Sequence, residues 1–306
     1  MIVKATGVLA LLLSPAVALY AAGYEAAAHS FALGAVLAAQ MSLLARPVAG
    51  FSILLPVIYA AAAVTAQSTD GVAALIVAAA ALVGAASSQG FQRGVLAVLA
   101  ATLIGSSEPS SPSAVLVPLL IMSAGSAYGL FLALTVLRDI EVDMRAVRPQ
   151  TALSFAVLLA VLVTVAWLAA KAFGVAHGWW IPLAVASVGQ PALEGSVRRS
   201  ILYLAGALIA TLAFVALYEF ATGDAAQAVL LVAIGLMVLV AGPRRRWLRA
   251  LLFTPMLMLV EGHHGDHVAL DYLRSASLAC AVVFAFALLG QWLLWTIRPD
   301  PGRVPV

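Results

Sequence analysis

The stretch Leu153-Ser-Phe-Ala-Val-Leu-Leu-Ala-Val-Leu-Val-Thr-Val-Ala-Trp-Leu-Ala-Ala-Lys-Ala-Phe-Gly-Val175 decides the fold class. It is apolar almost throughout, carries a single charge at Lys171, and shows no strict alternation of apolar and polar positions. A period-2 strand pattern is therefore absent, and the length suits a helix crossing a hydrocarbon layer roughly 30 Å thick. The run 225–242 reads the same way. In lipid every backbone N–H and C=O needs an internal partner, so only helices or a closed barrel can span, and these runs select helices.

Working outward, the whole chain follows that pattern. Its 306 residues are 64% apolar and 9% charged, with a mean hydropathy of +1.09, more apolar surface than one water-soluble core encloses. The net charge of +3 does not point to nucleic acid, because the basic residues are strewn between apolar runs instead of gathered on one face. The one cysteine, Cys280, lies inside an apolar run, which excludes an intramolecular disulfide. Apolar runs predict an all-α membrane bundle of about twelve spans, near 5–22, 29–45, 48–67, 71–88, 93–106, 113–136, 152–174, 178–192, 200–219, 225–242, 249–262 and 270–296. The first is read as a span and not a cleaved signal, since its apolar stretch is about long enough to cross. The shorter runs are expected to be tilted, half-buried or re-entrant.

Charge placement tests the count independently, because Lys and Arg favour cytoplasmic loops. With the amino terminus inside, Lys4, Arg46, Arg93, Arg138, Arg145, Arg148, Arg198, Arg199, Arg244, Arg245, Arg246, Arg249, Arg298 and Arg303 fall on the cytoplasmic side, leaving Lys171 and Arg274 on the other. Glu25, Asp70, Glu108, Glu219, Asp224, Glu261, Asp266 and Asp271 collect on the outer side. Both termini are thus expected in the cytoplasm. The charged segment 138–150 reads as a cytoplasmic linker between a half at 1–137 and a half at 151–306. Six spans per half is an even number, which predicts two parallel six-helix repeats. His29 and His177 each open the second span of their half, and Gln40 and Gln190 sit near its end.

The densest polar cluster in apolar surroundings is His177-Gly-Trp-Trp-Ile-Pro-Leu-Ala-Val-Ala-Ser-Val-Gly-Gln-Pro191, followed by Glu194 and Arg198-Arg199. Trp179 and Trp180 are read first as interfacial anchors, the commoner use of Trp at a span's outer end, with stacking on an aromatic substrate as the alternative. Gln190 suits a carboxylate or a neighbouring helix equally. Pro182, Pro191 and Pro255 are candidate breaks that free backbone carbonyls, against the plainer reading of tolerated kinks. Arg274 lies one turn inside the last span with Asp271 at i−3, and a substrate carboxylate can compete with Asp271 for its planar fork of donors. Glu261-Gly-His-His-Gly-Asp-His267 is metal-like in composition but matches no zinc spacing, so it reads as a solvated outer loop, with proton uptake or release as the functional alternative. The triplet Arg244-Arg-Arg246 reads as a topology determinant on anionic headgroups.

These stretches resemble the fusaric acid resistance (FUSC) family of aromatic acid exporter-like integral membrane transporters. In that family a His or similar residue and an aromatic pair precede a polar span ending in Gln-Pro, and an Arg-rich helix start follows, as Ser196-Val-Arg-Arg-Ser200 does here. Arg249-Ala-Leu-Leu-Phe-Thr-Pro-Met256 resembles the family's Phe-Thr-Pro helix. The closing helix keeps the family's acid–base spacing with the order reversed, as Asp271 and Arg274-Ser275. The likeness covers the second half; over the first it is topological only. It implies a minimal exporter of small aromatic or other organic anions in a bacterial inner membrane, driven by the proton gradient. Substrate binding is then expected at His177, Trp180, Gln190, Thr254 and Arg274, and proton coupling at Glu219, Glu261 and Asp271.

No phosphate-binding Gly-rich loop, Gly-x-Ser-x-Gly or His-Glu-x-x-His constellation occurs, so the sequence gives no footing to an enzyme, a cofactor or a metal. The expected partners are membrane lipid, a small organic anion and a second copy of the chain, with no nucleic acid. A passive anion channel and a non-transporting membrane partner docking through the 138–149 linker are the competing readings.

Overall fold

The computed structural model describes residues 2–136, 146–175 and 178–188, together with the isolated helical positions 209, 277, 278, 281, 282, 284, 285 and 288. Every regular element among the described residues is helical. They are α1 (Ile2–Ala21), α2 (Glu25–Leu44), a 3-10 segment Arg46–Leu54 leading into α3 (Leu55–Thr65), and α4 (Thr69–Ala85) running on into a 3-10 turn Ala86–Gln89. Then come α5 (Gln92–Ser107), α6 (Leu116–Thr135), α7 (Pro149–Ala172) and α8 (Trp180–Val188). Each falls on one of the first eight expected spans. Five stretches are long and apolar enough to cross a membrane: Glu25–Leu44, Arg46–Thr65, Thr69–Gln89, Leu116–Thr135 and Pro149–Ala172. The expected spans from 200 onward lie outside the described residues, apart from those isolated positions.

Local chemistry sets the boundaries. The Ser68 hydroxyl accepts the N–H of Gly71 at 3.1 Å, capping α4, and Asp70 in its first turn complements the positive end of the helix dipole. Glu25 does the same for α2, which begins a turn earlier than the apolar run suggests. Pro149 opens α7, where its missing N–H has no helical partner to lose. Gly90 ends the 3-10 turn at φ +78°, a left-handed conformation that a side chain disfavours.

One expected span is interrupted. The run 48–67 is read as continuous, yet 46–54 is 3-10 and α3 starts at Leu55. Pro56 explains it: its ring cannot donate to the Ser52 carbonyl and would collide with it, so the tighter bond from Leu55 N–H to Ser52 closes the turn instead.

Small residues set the packing. Gly84 of α4 lies against Ala156 of α7 so closely that a Cβ there would stand 2.2 Å from the Ala156 Cα. On α6, Gly125 and Gly129 form a Gly-x-x-x-Gly face against the backbone of α2, and an added Cβ would meet the carbonyl oxygens of Phe31 and Ala35 at 2.2 Å. Close backbone approach of this kind supplies the dispersion contacts that hold helices together in lipid, where burial alone gives little drive. α4 and α7 run antiparallel, joined at one end by Val147 N–H to the Ser87 carbonyl (3.1 Å) and at the other by Lys171 to Thr69.

α5 is the axis of the bundle. It contacts α2, α3, α4 and α8, and Val95, Ala97, Leu99, Ala101 and Leu103 are buried in the main hydrophobic core. With 16 residues it is about 24 Å long, too short for the full hydrocarbon thickness. Its neighbours surround it, in keeping with the expectation that the short runs are half-buried. By contrast α7 shows apolar residues on both faces, with Leu159, Val163 and Ala166 buried and Leu153, Val157 and Val161 exposed. A helix apolar all round faces lipid on its open side.

α7 and α8 share their core with α2 to α6, and Leu278 and Val282 pack partly buried against it. The charged linker thus joins elements that bury surface against one another.

Candidate transport site

The ends of the bundle differ in chemistry. At one end Ala45 meets Gly94 and Val147 bonds Ser87, which gathers the segments bearing Arg46, Arg93 and Arg148. At the other, Ser110 N–H donates to the Ala63 carbonyl (3.1 Å) and Lys171 reaches Thr69, gathering those bearing Asp70, Glu108 and Lys171. This is the sorting of loops that the charge pattern predicts for alternating spans.

At the acidic end, the last turn of α7 carries a cation held in place by its surroundings. Lys171 Nζ donates to Thr69 Oγ1 at 2.7 Å and stands 5.4 Å from the centroid of the Trp167 ring, one turn earlier on the same face. The ammonium has three donors, so it keeps capacity for a further acceptor. Gly174, at φ +58°, turns the chain, and Gly178 then packs beside Ala170, where an added Cβ would meet the Ala170 Cβ at 2.9 Å. That contact seats the start of α8 against the end of α7. Trp179 and Trp180 follow, edge to face with ring centroids 5.7 Å apart.

The two tryptophans are 7% and 4% exposed and belong to the main core. Their preferred reading as interfacial anchors is therefore corrected: an anchor displays its ring to the headgroup region, whereas these are buried in the core at the end of the bundle where α8 meets α7 and α5. Pro182 also changes meaning. It sits in the first turn of α8, where a proline lacks no helical bond, so it starts this helix and does not break one.

Of the expected substrate-binding residues, Trp180 is placed by the structure. His177, Gln190, Thr254 and Arg274 lie outside the described residues, as do Glu219, Glu261 and Asp271 of the expected proton path, and Pro191 and Pro255. Two polar contacts escaped the sequence reading. Lys171 stood out as one of two expected outer cations, and its i,i+4 spacing from Trp167 is the signal that finds the pair. The second joins Tyr59 of α3, 6% exposed, to Glu108 at the end of α5, with the phenol donating to the carboxylate at 2.5 Å. No local spacing reveals that contact, because it spans 49 positions.

Residues 165–287 match the family model described as fusaric acid resistance protein-like. This region is fusaric acid resistance protein-like. The match opens within α7, takes in Trp167, Lys171, Trp179 and Trp180, and coincides with the half in which the FUSC motifs were read. It supports the FUSC assignment and a membrane transport or efflux role for this multi-pass protein. No curated protein and no solved structure gives a significant match.

Proposed function

We propose that this FUSC-like chain is a secondary transporter exporting small aromatic or other organic acids, built of about twelve spans in two parallel six-helix repeats. The observation that carries the reading is the α7–α8 corner inside the matched segment, where Lys171 stands over the half-buried Trp167 ring and the Trp179–Trp180 pair follows at the start of α8. An aromatic carboxylate needs those two things, a positive group for the anion and ring faces for the apolar body. In this reading Trp180 stacks the ring, and Arg274 takes the carboxylate in competition with Asp271. His177, Gln190 and Thr254 complete the site with hydrogen bonds, and Glu219, Glu261 and Asp271 carry protons. Alternating access arises from rocking of the halves about a midplane site.

The test is uptake of labelled benzoate into inverted membrane vesicles, with and without an imposed proton gradient, for the parent and Arg274→Ala. Gradient-driven uptake lost in the variant is expected. Gradient-driven uptake that survives the substitution moves the anion site elsewhere, while conduction indifferent to the gradient turns the protein into a channel.

A further inference from the structure

Buried hydroxyls in membrane helices ordinarily satisfy themselves on the carbonyl three or four residues back. Buried Thr102 donates to Val98 (2.9 Å), as half-buried Ser123 does to Leu119 (2.7 Å) and exposed Thr135 to Phe131 (2.7 Å). Ser126 instead reaches across to the Gly34 carbonyl at 3.3 Å. Ser42, Ser52 and Ser87 do none of this. They are 2%, 0% and 1% exposed, and their Oγ atoms, like Gln92 Oε1, are buried without a hydrogen-bond partner among the described residues.

Three of these residues lie at one end of the bundle and Ser52 six positions along the segment that starts there, whereas Thr164 Oγ1, also buried without a partner, lies in the middle of α7. Ser42 is in the last turn of α2, Ser52 in the 3-10 segment after Arg46, Ser87 in the 3-10 turn after α4, and Gln92 at the first position of α5. α2 packs on the segment holding Ser52 and on α5, and α5 meets the turn holding Ser87. Gln40 donates to the Arg93 carbonyl within the same region. Two of the four lie in the breaks where the α-helical ladder gives way to 3-10 geometry, which membrane proteins tolerate at depth where backbone lines a polar cavity. A buried hydroxyl or amide oxygen with no protein partner keeps its desolvation penalty unless water or ligand supplies the bond.

We infer that Ser42, Ser52, Ser87 and Gln92 line a hydrated vestibule in the amino-terminal half, opening at the end of the bundle where α2 ends and α5 begins. This half is then part of the permeation route. The inference stands apart from the α7–α8 corner and from proton coupling.

The single cysteine makes the test direct. In a Cys280→Ser background, Ser42→Cys, Ser52→Cys and Ser87→Cys are compared with Thr102→Cys and Ser126→Cys, whose hydroxyls are already bonded within the protein. Open membrane fragments are treated with the small anionic reagent sulfonatoethyl methanethiosulfonate or its cationic trimethylammonium counterpart. The vestibule variants are expected to react with either reagent at least tenfold faster than the two controls. Rates equal to the controls overturn the vestibule. Radiolytic hydroxyl labelling of the unmodified parent checks the result without substitution. Met41, 3% exposed and beside Ser42, is expected to be oxidised, whereas Met122, 0% exposed and within α6, is not; equal protection of both overturns the proposal.

Discussion

The side-chain amide of Gln40 donates to the backbone carbonyl of Arg93 at 3.1 Å, tying the last turns of α2 to the first turn of α5. Interhelical polar bonds in a membrane bundle average about 0.6 kcal/mol, so Gln40→Leu is expected to lower stability by that amount. Equilibrium unfolding in mixed micelles measures it. The proposed repeat extends the prediction. Under that repeat, Gln190 would stand in the second half where Gln40 stands in the first, and Arg249 where Arg93 does. Gln40→Cys with Arg93→Cys, and Gln190→Cys with Arg249→Cys, are both expected to close with a short bifunctional thiol crosslinker in the Cys280→Ser background. Closure of the first pair without the second counts against the repeat.

Gly84, Gly125 and Gly129 are expected to be intolerant of even a methyl group. Their added Cβ would lie 2.2 Å from a backbone atom of the facing helix, and backbone cannot step aside as a flexible side chain does. Each substitution to Ala is expected to cost about 1–3 kcal/mol by forcing packed helices apart. Gly50, with no atom within 4 Å of the same position, is the internal control and should accept Ala with little change. Thermal melts followed by size-exclusion chromatography distinguish the two groups.

Tyr59 and Glu108 join α3 to the end of α5. Tyr59→Phe deletes the donor and keeps the ring. A double-mutant cycle with Glu108→Ala is expected to show a coupling of about 1 kcal/mol, the usual worth of a hydrogen bond with one exposed partner. A coupling near zero would mean that the pair adds nothing beyond the packing of Tyr59.

Lys171→Met retains the apolar stem and removes the charge. Its effect on stability is expected to stay within about 0.5–1 kcal/mol, the worth of an exposed cation–π contact. Under the proposed function the KM for benzoate should rise several-fold, Lys171→Arg should recover most of the loss, and added salt should mimic it by screening. Initial uptake rates at varied benzoate and salt concentration check each point. An unchanged KM would leave Lys171 with a role in joining α7 to α4 only.

Much of the fold was legible because lipid imposes rules that act on short stretches of chain. Apolar length marked the first eight helical stretches, five of them long and apolar enough to cross a membrane, and the alternation of Arg46, Arg93 and Arg148 with Asp70, Glu108 and Lys171 sorted their ends. The break at 46–54 was not read, although Pro56 announces it, because the run stays apolar across the proline. The tryptophans were misjudged for a related reason: sequence locates Trp179 and Trp180 at the end of a span but does not say which neighbours enclose them.

The sequence by itself determined that this protein is helical, lives in a membrane and carries FUSC motifs in its second half, since backbone satisfaction and hydrophobicity depend on residue type and run length. Only the tertiary structure decided that α5 is the axis of the bundle, that Lys171 rests on Trp167 and Thr69, and that Ser42, Ser52 and Ser87 are buried without partners. Each of these depends on which helices meet. In lipid that choice rests on the fit of small residues and a few polar contacts between positions far apart in the chain, and no local pattern encodes it.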